Sequence, residues 1–237
     1  MMDLVRNLEE IREKIASAAQ RVGREASEIT LVAVSKTRPS EAIAAAALAG
    51  AVEFGENYVQ ELCDKQQALA ALPKPPRWHF IGHLQRNKVR FLVPFCSLIE
   101  VVDSVPLAEE ISRRAALIGR VQPVLLQVDL AGEATKFGCA EGETPALAEA
   151  LTALPNLDWQ GLMTIPPFGD SPEQSRPYFR RLARLREELI ERGTPVGHLR
   201  HLSMGMSNDF ETAIEEGATL VRIGTALFGP RTAVPQA

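Results

Sequence analysis

The chain has 237 residues, of which 46% are hydrophobic and 24% charged, and its 26 basic and 30 acidic side chains give a net charge of −4. These proportions are typical of a soluble globular protein and exclude a disordered chain, a collagen and a disulfide scaffold. The slight acidic excess argues against nucleic acid as a partner, because binding to phosphate backbones needs surplus lysine and arginine.

Cysteine usage and the N-terminal segment indicate the compartment. Cys63, Cys96 and Cys139 form no CxxC pair, so neither a zinc ribbon nor a thioredoxin-type site is predicted, and reduced thiols are expected. The segment MMDLVRNLEEIREKI is too evenly charged for a signal peptide, and no apolar run approaches the roughly 20 residues of a membrane helix. We therefore expect a cytoplasmic protein that does not associate with membranes.

The first predicted element is a helix, because Leu4, Leu8, Ile11 and Ile15 recur at helical spacing. Short apolar runs then alternate with longer amphipathic stretches. Eight runs are predicted strands: Thr30–Ser35, Val52–Gly55, Trp78–Gly82, Ser97–Val102, Val124–Asp129, Trp159–Ile165, Leu199–Met204 and Thr219–Ile223. Seven stretches between them are predicted helices: Pro39–Ala49, Tyr58–Leu69, Gln85–Phe91, Pro106–Leu117, Pro145–Leu154, Pro172–Arg192 and Asp209–Glu215.

Proline and glycine positions support these helices. The first helical positions are assigned to Pro39, Pro106 and Pro172, and the residues just past helix ends to Gly50, Gly193 and Gly217. Strict strand–helix alternation predicts an α/β fold with a parallel sheet, and eight repeats predict a closed (β/α)8 TIM barrel with an extra N-terminal helix. An open doubly wound sheet is less favoured, because no GxGxxG or GxxxxGK follows a strand. We interpret residues 1–237 as one domain.

Lys36 is the first candidate for chemistry. Functional groups of a barrel lie at the carboxyl ends of its strands, and Lys36 follows directly after the first predicted strand. Partial desolvation there would lower the pKa of the amine and prepare it for Schiff-base formation. Taken alone, the residue is better explained as an ordinary solvated lysine before a helix.

Two turns of small residues follow the seventh and eighth predicted strands. They are Ser203-Met204-Gly205-Met206-Ser207 and Gly224-Thr225. Backbone N–H groups in such turns can converge on an anion, and barrels commonly bind phosphate through these two loops. Each turn alone is equally explained as a tight turn with a helix cap at Asn208 or Asp209.

A lysine and a phosphate cup at one rim indicate a phosphorylated aldehyde, with pyridoxal 5′-phosphate (PLP) as the leading candidate. The chain resembles the pyridoxal phosphate homeostasis protein family, a relative of the alanine racemase N-terminal barrel. The matching segments run in order over nearly the whole chain: LVAVSKTRP (31–39), FGENYVQE (54–61), WHFIGHLQRNK (78–88), VDLAGEATKFGC (128–139), GLMTIPP (161–167) and LSMGMSNDFETAIEEGATLVRIGTALFG (202–229).

The resemblance implies ten cofactor-binding positions. Lys36 corresponds to the lysine that forms the Schiff base, and Arg222 to an arginine beside the pyridine nitrogen. The phosphate-binding turns and the cavity wall account for the others, namely Ser203, Met204, Gly205, Ser207, Gly224 and Thr225 in the turns and Asn57 and His83 in the wall.

Arg222 also bears on the kind of reaction expected. A guanidinium keeps its proton at any working pH and can only donate hydrogen bonds. A pyridine nitrogen facing it stays unprotonated, so the ring becomes a poorer electron sink, which weakens the case for transamination or decarboxylation. The alternative role, a surface salt bridge, is less favoured inside an apolar strand.

Two functions remain open, a PLP carrier and a PLP-dependent amino-acid racemase. Alanine racemases take their second base, a tyrosine, from an additional β-domain of another subunit. Because the predicted barrel fills the length up to Ala237, we expect no such domain, and the tyrosines of the chain are Tyr58 and Tyr178. The resemblance implies a carrier that buffers PLP and delivers it to apo-enzymes, without established turnover or catalytic residues. We expect a monomer, because no obvious apolar interface segment appears in the sequence.

The remaining candidates are histidine pairs and a loop lysine. His79 with His83 and His198 with His201 lie in or beside strands, where four residues span about 13 Å and three residues turn side chains to opposite faces. We therefore expect structural histidines and no metal. Lys136, after the fifth predicted strand, could receive or release the aldehyde during transfer; the alternative is a loop lysine without such a role.

Overall fold

Strands and helices alternate throughout the part of the chain described by the computed structural model, residues 2–132, 137–167 and 169–230. The strands are β1 (Thr30–Val34), β2 (Glu53–Glu56), β3 (Arg77–Phe80), β4 (Leu98–Val102), β5 (Gln122–Asp129), β6 (Cys139–Ala140), β7 (Leu157–Met163), β8 (His201–Ser203) and β9 (Leu220–Ile223). The α-helices are α1 (Met2–Arg21), α2 (Ser40–Leu48), α3 (Val59–Leu69), α4 (Val89–Leu92), α5 (Val105–Leu117), α6 (Thr144–Ala153), α7 (Arg176–Glu191), α8 (Phe210–Glu215) and α9 (Thr225–Phe228).

Eight of these strands form a closed parallel barrel. They pair in the order β1-β2-β3-β4-β5-β7-β8-β9, and β9 returns to pair with β1. The short strand β6 pairs with β5 alongside this ring. The predicted (β/α)8 barrel and its eight strands are therefore confirmed, with strand ends shifted by one or two residues.

The strands are continuous apolar runs because both of their faces are covered, by the helices outside and by the barrel interior within. Every residue of β4 and of β9 is buried. The predicted N-terminal helix is α1, whose Leu8, Ile11 and Ile15 are buried against the barrel. Asn7 on the same helix donates a hydrogen bond to the Leu227 carbonyl oxygen of α9 at 3.0 Å, which ties α1 to the end of the barrel.

Helix starts differ in detail from the prediction. Pro39 is the residue before α2, and Pro106 is the second residue of α5. Pro172 begins a 3-10 turn, Pro172–Gln174, and α7 starts at Arg176. Proline lacks an N–H and has a fixed φ, so it fits any of the first positions of a helix, where that N–H has no partner. The sequence pattern therefore located these starts to within a few residues.

The glycines predicted just past three helix ends adopt the left-handed backbone conformation expected there. The predicted terminal glycines Gly50, Gly193 and Gly217 have φ values of 94°, 99° and 97°. None of the helices in the described ranges combines the length and the apolar character needed to cross a membrane.

Gly161 lies where β7 changes its register against β5, between the pairs Val124–Trp159 and Leu126–Leu162. Its φ is 154°, and a Cβ atom at this position would lie 1.9 Å from the His201 carbonyl oxygen of β8. Only glycine allows the two strands to approach so closely at this irregularity.

We expect Gly161→Ala to lower the free energy of unfolding by about 3 kcal/mol, because the added methyl group must push a buried backbone apart. Urea unfolding followed by circular dichroism measures the change. Gly142→Ala is the control, since a Cβ there meets nothing within 4 Å. Equal stabilities of the two variants would contradict this account of β7.

Candidate functional site

A cavity of about 730 Å³ opens at the carboxyl ends of the barrel strands. Its wall begins at Val34, the last residue of β1, and includes Ile81 after β3 and Ile165 after β7. The segment before α7, the turn after β8 and the start of α9 also contribute to the rim. Because the barrel is closed and parallel, every strand delivers the residues after its carboxyl end to this one rim.

Six of the ten positions implied by the resemblance line this cavity: Lys36, Asn57, Ser207, Arg222, Gly224 and Thr225. Ser203 and Met204 are fully buried at the end of β8 and do not reach its wall. Gly205 has a φ of 91° and packs against α8, where a Cβ atom would lie 2.5 Å from Ala213 Cβ. Gly205 therefore shapes the turn from behind.

His83 lies apart from the other nine residues. Its exposed ring stacks on Phe137, with 3.9 Å between ring centroids, and it lines a different cavity together with Asp103 and Arg113. The structure thus gives His83 a place beside the cavity, not in its wall. Lys136 lies outside the described residues.

In the turn after β8, one side-chain oxygen atom accepts hydrogen bonds from two backbone N–H groups that follow β9. Ser207 Oγ accepts the N–H of Gly224 at 3.3 Å and the N–H of Ala226 at 3.2 Å. The carboxylate of Asp209 braces the turn by accepting the N–H of Met206 at 2.6 Å. The rim therefore presents converging N–H groups, the geometry that binds anions.

Arg222 forms the floor of the cavity and belongs to a hydrogen-bond network inside the barrel. Its side chain is only 3% exposed. The guanidinium donates to Ser203 Oγ at 2.5 Å and to the Thr164 carbonyl oxygen at 2.8 Å. Ser203 Oγ in turn donates to Glu100 Oε2, which lies 4.0 Å from Arg222. Burial lowers the pKa of Arg222, and the charge of Glu100 opposes that shift.

The same network continues to His79 and Glu53. The ring of His79 contacts Glu100 at 2.6 Å through Nδ1 and Glu53 at 3.1 Å through Nε2. Burial favours the neutral ring, but the hydrogen bonds to Glu100 and Glu53 raise the pKa of His79 to about 9. Burial likewise opposes ionisation of Glu100, yet the hydrogen bond from His79 and the charges of His79 and Arg222 keep the pKa of Glu100 below its usual value. Two carboxylates and two cations thus balance inside the barrel.

A second charged cluster supports the turn that carries Lys36. Lys65 Nζ donates to Glu56 Oε1 at 2.7 Å and to Glu61 Oε1 at 2.6 Å, and Ser35 Oγ donates to the same Glu56 oxygen at 2.6 Å. Burial raises the pKa of Glu56, although the hydrogen bonds from Lys65 and Ser35 oppose the shift.

The three most informative residues that sequence reasoning missed are Glu100, Glu56 and Lys65, all of which are buried. The signal for Glu100 is a carboxylate inside the apolar run SLIEVV, since a buried charge needs a partner. The remaining histidines have structural contacts: His198 stacks on Trp159 and His201 contacts Thr219 Oγ1 at 3.2 Å. Within the described ranges, no three His, Cys, Asp or Glu side chains gather to hold a metal ion.

Comparison with known proteins shows the family. The family model of the alanine racemase N-terminal domain matches residues 7–232. The pyridoxal phosphate homeostasis protein of Aquifex aeolicus is 47% identical over 230 residues, which cover 97% of this chain and 99% of that protein. The chain belongs to the pyridoxal phosphate homeostasis protein family.

Two further similar proteins extend this result. The pyridoxal phosphate homeostasis protein of Pseudomonas aeruginosa is 45% identical over 232 residues, or 98% of this chain and 97% of that protein. The solved structure of PipY from Synechococcus elongatus, with PLP bound, has a TM-score of 0.81 and 39% identity and covers 92% of this chain and 100% of its own. Fold and sequence thus agree on the family over almost the whole chain.

The pKa of His79 predicts how stability depends on pH. Because the folded-state pKa is raised from 6.5 to about 9, the stabilisation from the charged ring is complete below pH 6.5 and is lost as the pH rises through 9. We expect the free energy of unfolding, measured in urea, to fall by about 2–3 kcal/mol across this window.

His79→Gln tests this assignment. Glutamine keeps a donor but cannot titrate, so we expect the variant to be less stable at pH 6.5 and to show no such fall. His198→Gln is the control, and its free energy of unfolding should fall with pH as in the wild-type protein. A wild-type stability that stays level through pH 9 would contradict the charged network.

Proposed function

We propose that this protein binds PLP in the cavity at the carboxyl end of the barrel, holds it as a Schiff base on Lys36, and buffers and delivers it for intracellular vitamin B6 homeostasis. One observation carries the proposal: a lysine, a buried arginine and converging N–H groups surround a single cavity. The relative PipY, solved with PLP bound, supports it.

The residues of the cavity fit a phosphorylated pyridine. Asn57 Oδ1 is buried and has no hydrogen-bond partner, so it is available to a donor group of a ligand. The N–H groups of Gly224 and Ala226 converge on the hydroxyl oxygen of Ser207, as they would on a phosphate oxygen. The volume of about 730 Å³ lies within the range of small-molecule sites.

Five residues of the cavity wall have distinct roles in this proposal. PLP, when bound, supplies an aldehyde that condenses reversibly with amines. Lys36 provides the amine at the end of β1, and Ser207, Gly224 and Thr225 hold the phosphate. Arg222 keeps its proton beside Glu100 and therefore acts as a donor toward the ring nitrogen, never as an acid.

A carrier is favoured over a racemase by the residues around Lys36. A racemase needs a second base across the ring from the lysine. No tyrosine is among the described residues of the cavity wall, and the side chain of Tyr58 at the rim is 58% exposed. The proposal comprises a single-domain cytoplasmic monomer that passes PLP to apo-enzymes and binds neither nucleic acid nor membranes.

The Schiff base is tested by borohydride trapping. We expect the purified protein with PLP to absorb in the visible range and to retain the cofactor covalently at Lys36 after reduction, because reduction makes the carbon–nitrogen bond permanent. Peptide mapping by mass spectrometry locates the adduct. Lys36→Ala should retain none.

The matched control is Lys74→Ala, which removes an exposed loop lysine away from the cavity. It should bind and trap PLP like the wild-type protein. An adduct that persists in Lys36→Ala, or a protein that stays colourless with PLP, would refute the cofactor assignment.

Delivery and turnover separate the two functions. We expect the loaded protein to restore activity to a PLP-dependent apo-enzyme, with one cofactor released per chain, because a Schiff base exchanges between amines. Chiral chromatography of amino-acid mixtures should show no racemisation beyond stoichiometric amounts. Sustained racemisation by the wild-type protein that is abolished in Lys36→Ala would instead establish the racemase.

A further inference from the structure

The turn that carries Lys36 has a strained backbone. Thr37, the next residue, has a φ of 62° and is the one non-glycine residue with positive φ in the described ranges. A β-branched side chain disfavours this conformation, so the turn persists only if its surroundings hold it.

Two charged side chains of α3 hold the turn from either side of Lys36. Glu61 Oε1 accepts the backbone N–H of Thr37 at 2.6 Å. Lys65 Nζ donates to the carbonyl oxygen of Ser35 at 2.7 Å. The backbone is therefore anchored immediately before and immediately after Lys36, which lines the cavity.

The ammonium group of Lys65 uses all three of its hydrogen-bond donors in this region. Its side chain is 6% exposed, and its three donors reach the Ser35 carbonyl oxygen, Glu56 Oε1 and Glu61 Oε1. Glu56 ends β2 and precedes Asn57, which lines the same cavity. The cluster thus joins the ends of β1 and β2 at the two points where they contribute to the wall.

We propose that Glu61 and Lys65 are positioning residues that hold the turn after β1 so that the Lys36 amine is presented to the PLP aldehyde. The inference rests on the proposed function. Neither residue lines the cavity, and both act through the backbone of Ser35 and Thr37. A misplaced amine forms its bond less favourably while the remaining contacts of the ligand are kept.

The test compares two ligands that share the ring and the phosphate. Pyridoxine 5′-phosphate carries an alcohol where PLP carries its aldehyde, so it cannot bond to Lys36. We expect Glu61→Ala to weaken PLP binding about tenfold and pyridoxine 5′-phosphate binding less than about twofold. Glu61→Gln keeps an acceptor for the Thr37 N–H and should restore most of the PLP affinity.

Two further variants define the mechanism. Thr37→Gly accepts a φ of 62° without strain, so Glu61→Ala should cost less PLP affinity when combined with it. Asp64→Ala is the matched control, because Asp64 lies on the exposed side of α3 and bonds Gln60 at 2.9 Å. Asp64→Ala should leave the affinities for PLP and for pyridoxine 5′-phosphate unchanged.

Lys65→Met removes the cation and should show the same selective loss of PLP binding. Because this change leaves buried carboxylates without a counter-charge, thermal unfolding is recorded for every variant. If Lys65→Met does not fold, the Glu61 variants alone decide, since the Glu61 side chain is 24% exposed.

The outcomes separate this inference from the proposed function. Equal losses for both ligands in Glu61→Ala, or unchanged PLP binding, overturn the positioning role while leaving the carrier intact. Lys36→Ala, measured in the same series, reports on the carrier: an adduct that survives in it overturns the proposed function, and the positioning role with it.

Discussion

The pairing of β9 with β1 is the constraint on which the site depends. The two strands pair from Thr30 with Leu220 to Ala33 with Ile223, which closes the sheet between distant parts of the chain. Closure places the turn after β1 beside the turn after β9, so Lys36 and Gly224 share one cavity. In an open sheet without this pairing, β1 would be an edge strand. The residues after β1 would then have no residues of β9 beside them to complete the cavity wall.

Closure also determines the chemistry of the barrel interior. β4 and β8 are not neighbours in the sheet, yet Ser203 on β8 donates a hydrogen bond to Glu100 on β4, so the contact crosses the interior. The side chains there are buried, and a charged Arg222 is tolerated only with internal partners. Ser203, the Thr164 carbonyl oxygen and Glu100 are these partners, and His79 in turn contacts Glu100. Hydrophobic residues of similar volume often stabilise a core more than a buried charged network does. Here the network holds the guanidinium of Arg222 in a fixed position beside the cavity.

The sequence was most informative about the strands and least informative about side-chain direction. Buried parallel strands are continuous apolar runs, so all eight were predicted, and their ends indicated where Lys36 and Arg222 would lie. A continuous run gives no alternation from which to assign faces, however. The resemblance assigned Ser203 to the phosphate turn, and the sequence could not show that its side chain bonds Arg222 and Glu100 inside the barrel. Glu100 itself signals buried partners, but one of them, Ser203, lies 103 residues away and only the closed fold reveals it.

The hydrogen bonds around the cavity divide it into rigid and exchangeable parts. The cluster beneath the Lys36 turn has hydrogen bonds of 2.6–2.7 Å, each with at least one charged side chain, which fix that turn before any ligand arrives. The N–H groups that converge on Ser207 Oγ do so at 3.2–3.3 Å, near the limit of a useful hydrogen bond. Under the proposed function, a ligand phosphate would compete with that hydroxyl for the two N–H groups at little cost, whereas moving the lysine turn would require breaking buried charge pairs. Under the same proposal, the site would hold the phosphate end of PLP reversibly and offer the Lys36 amine to its aldehyde end, which is the balance that a carrier needs in order to release its ligand.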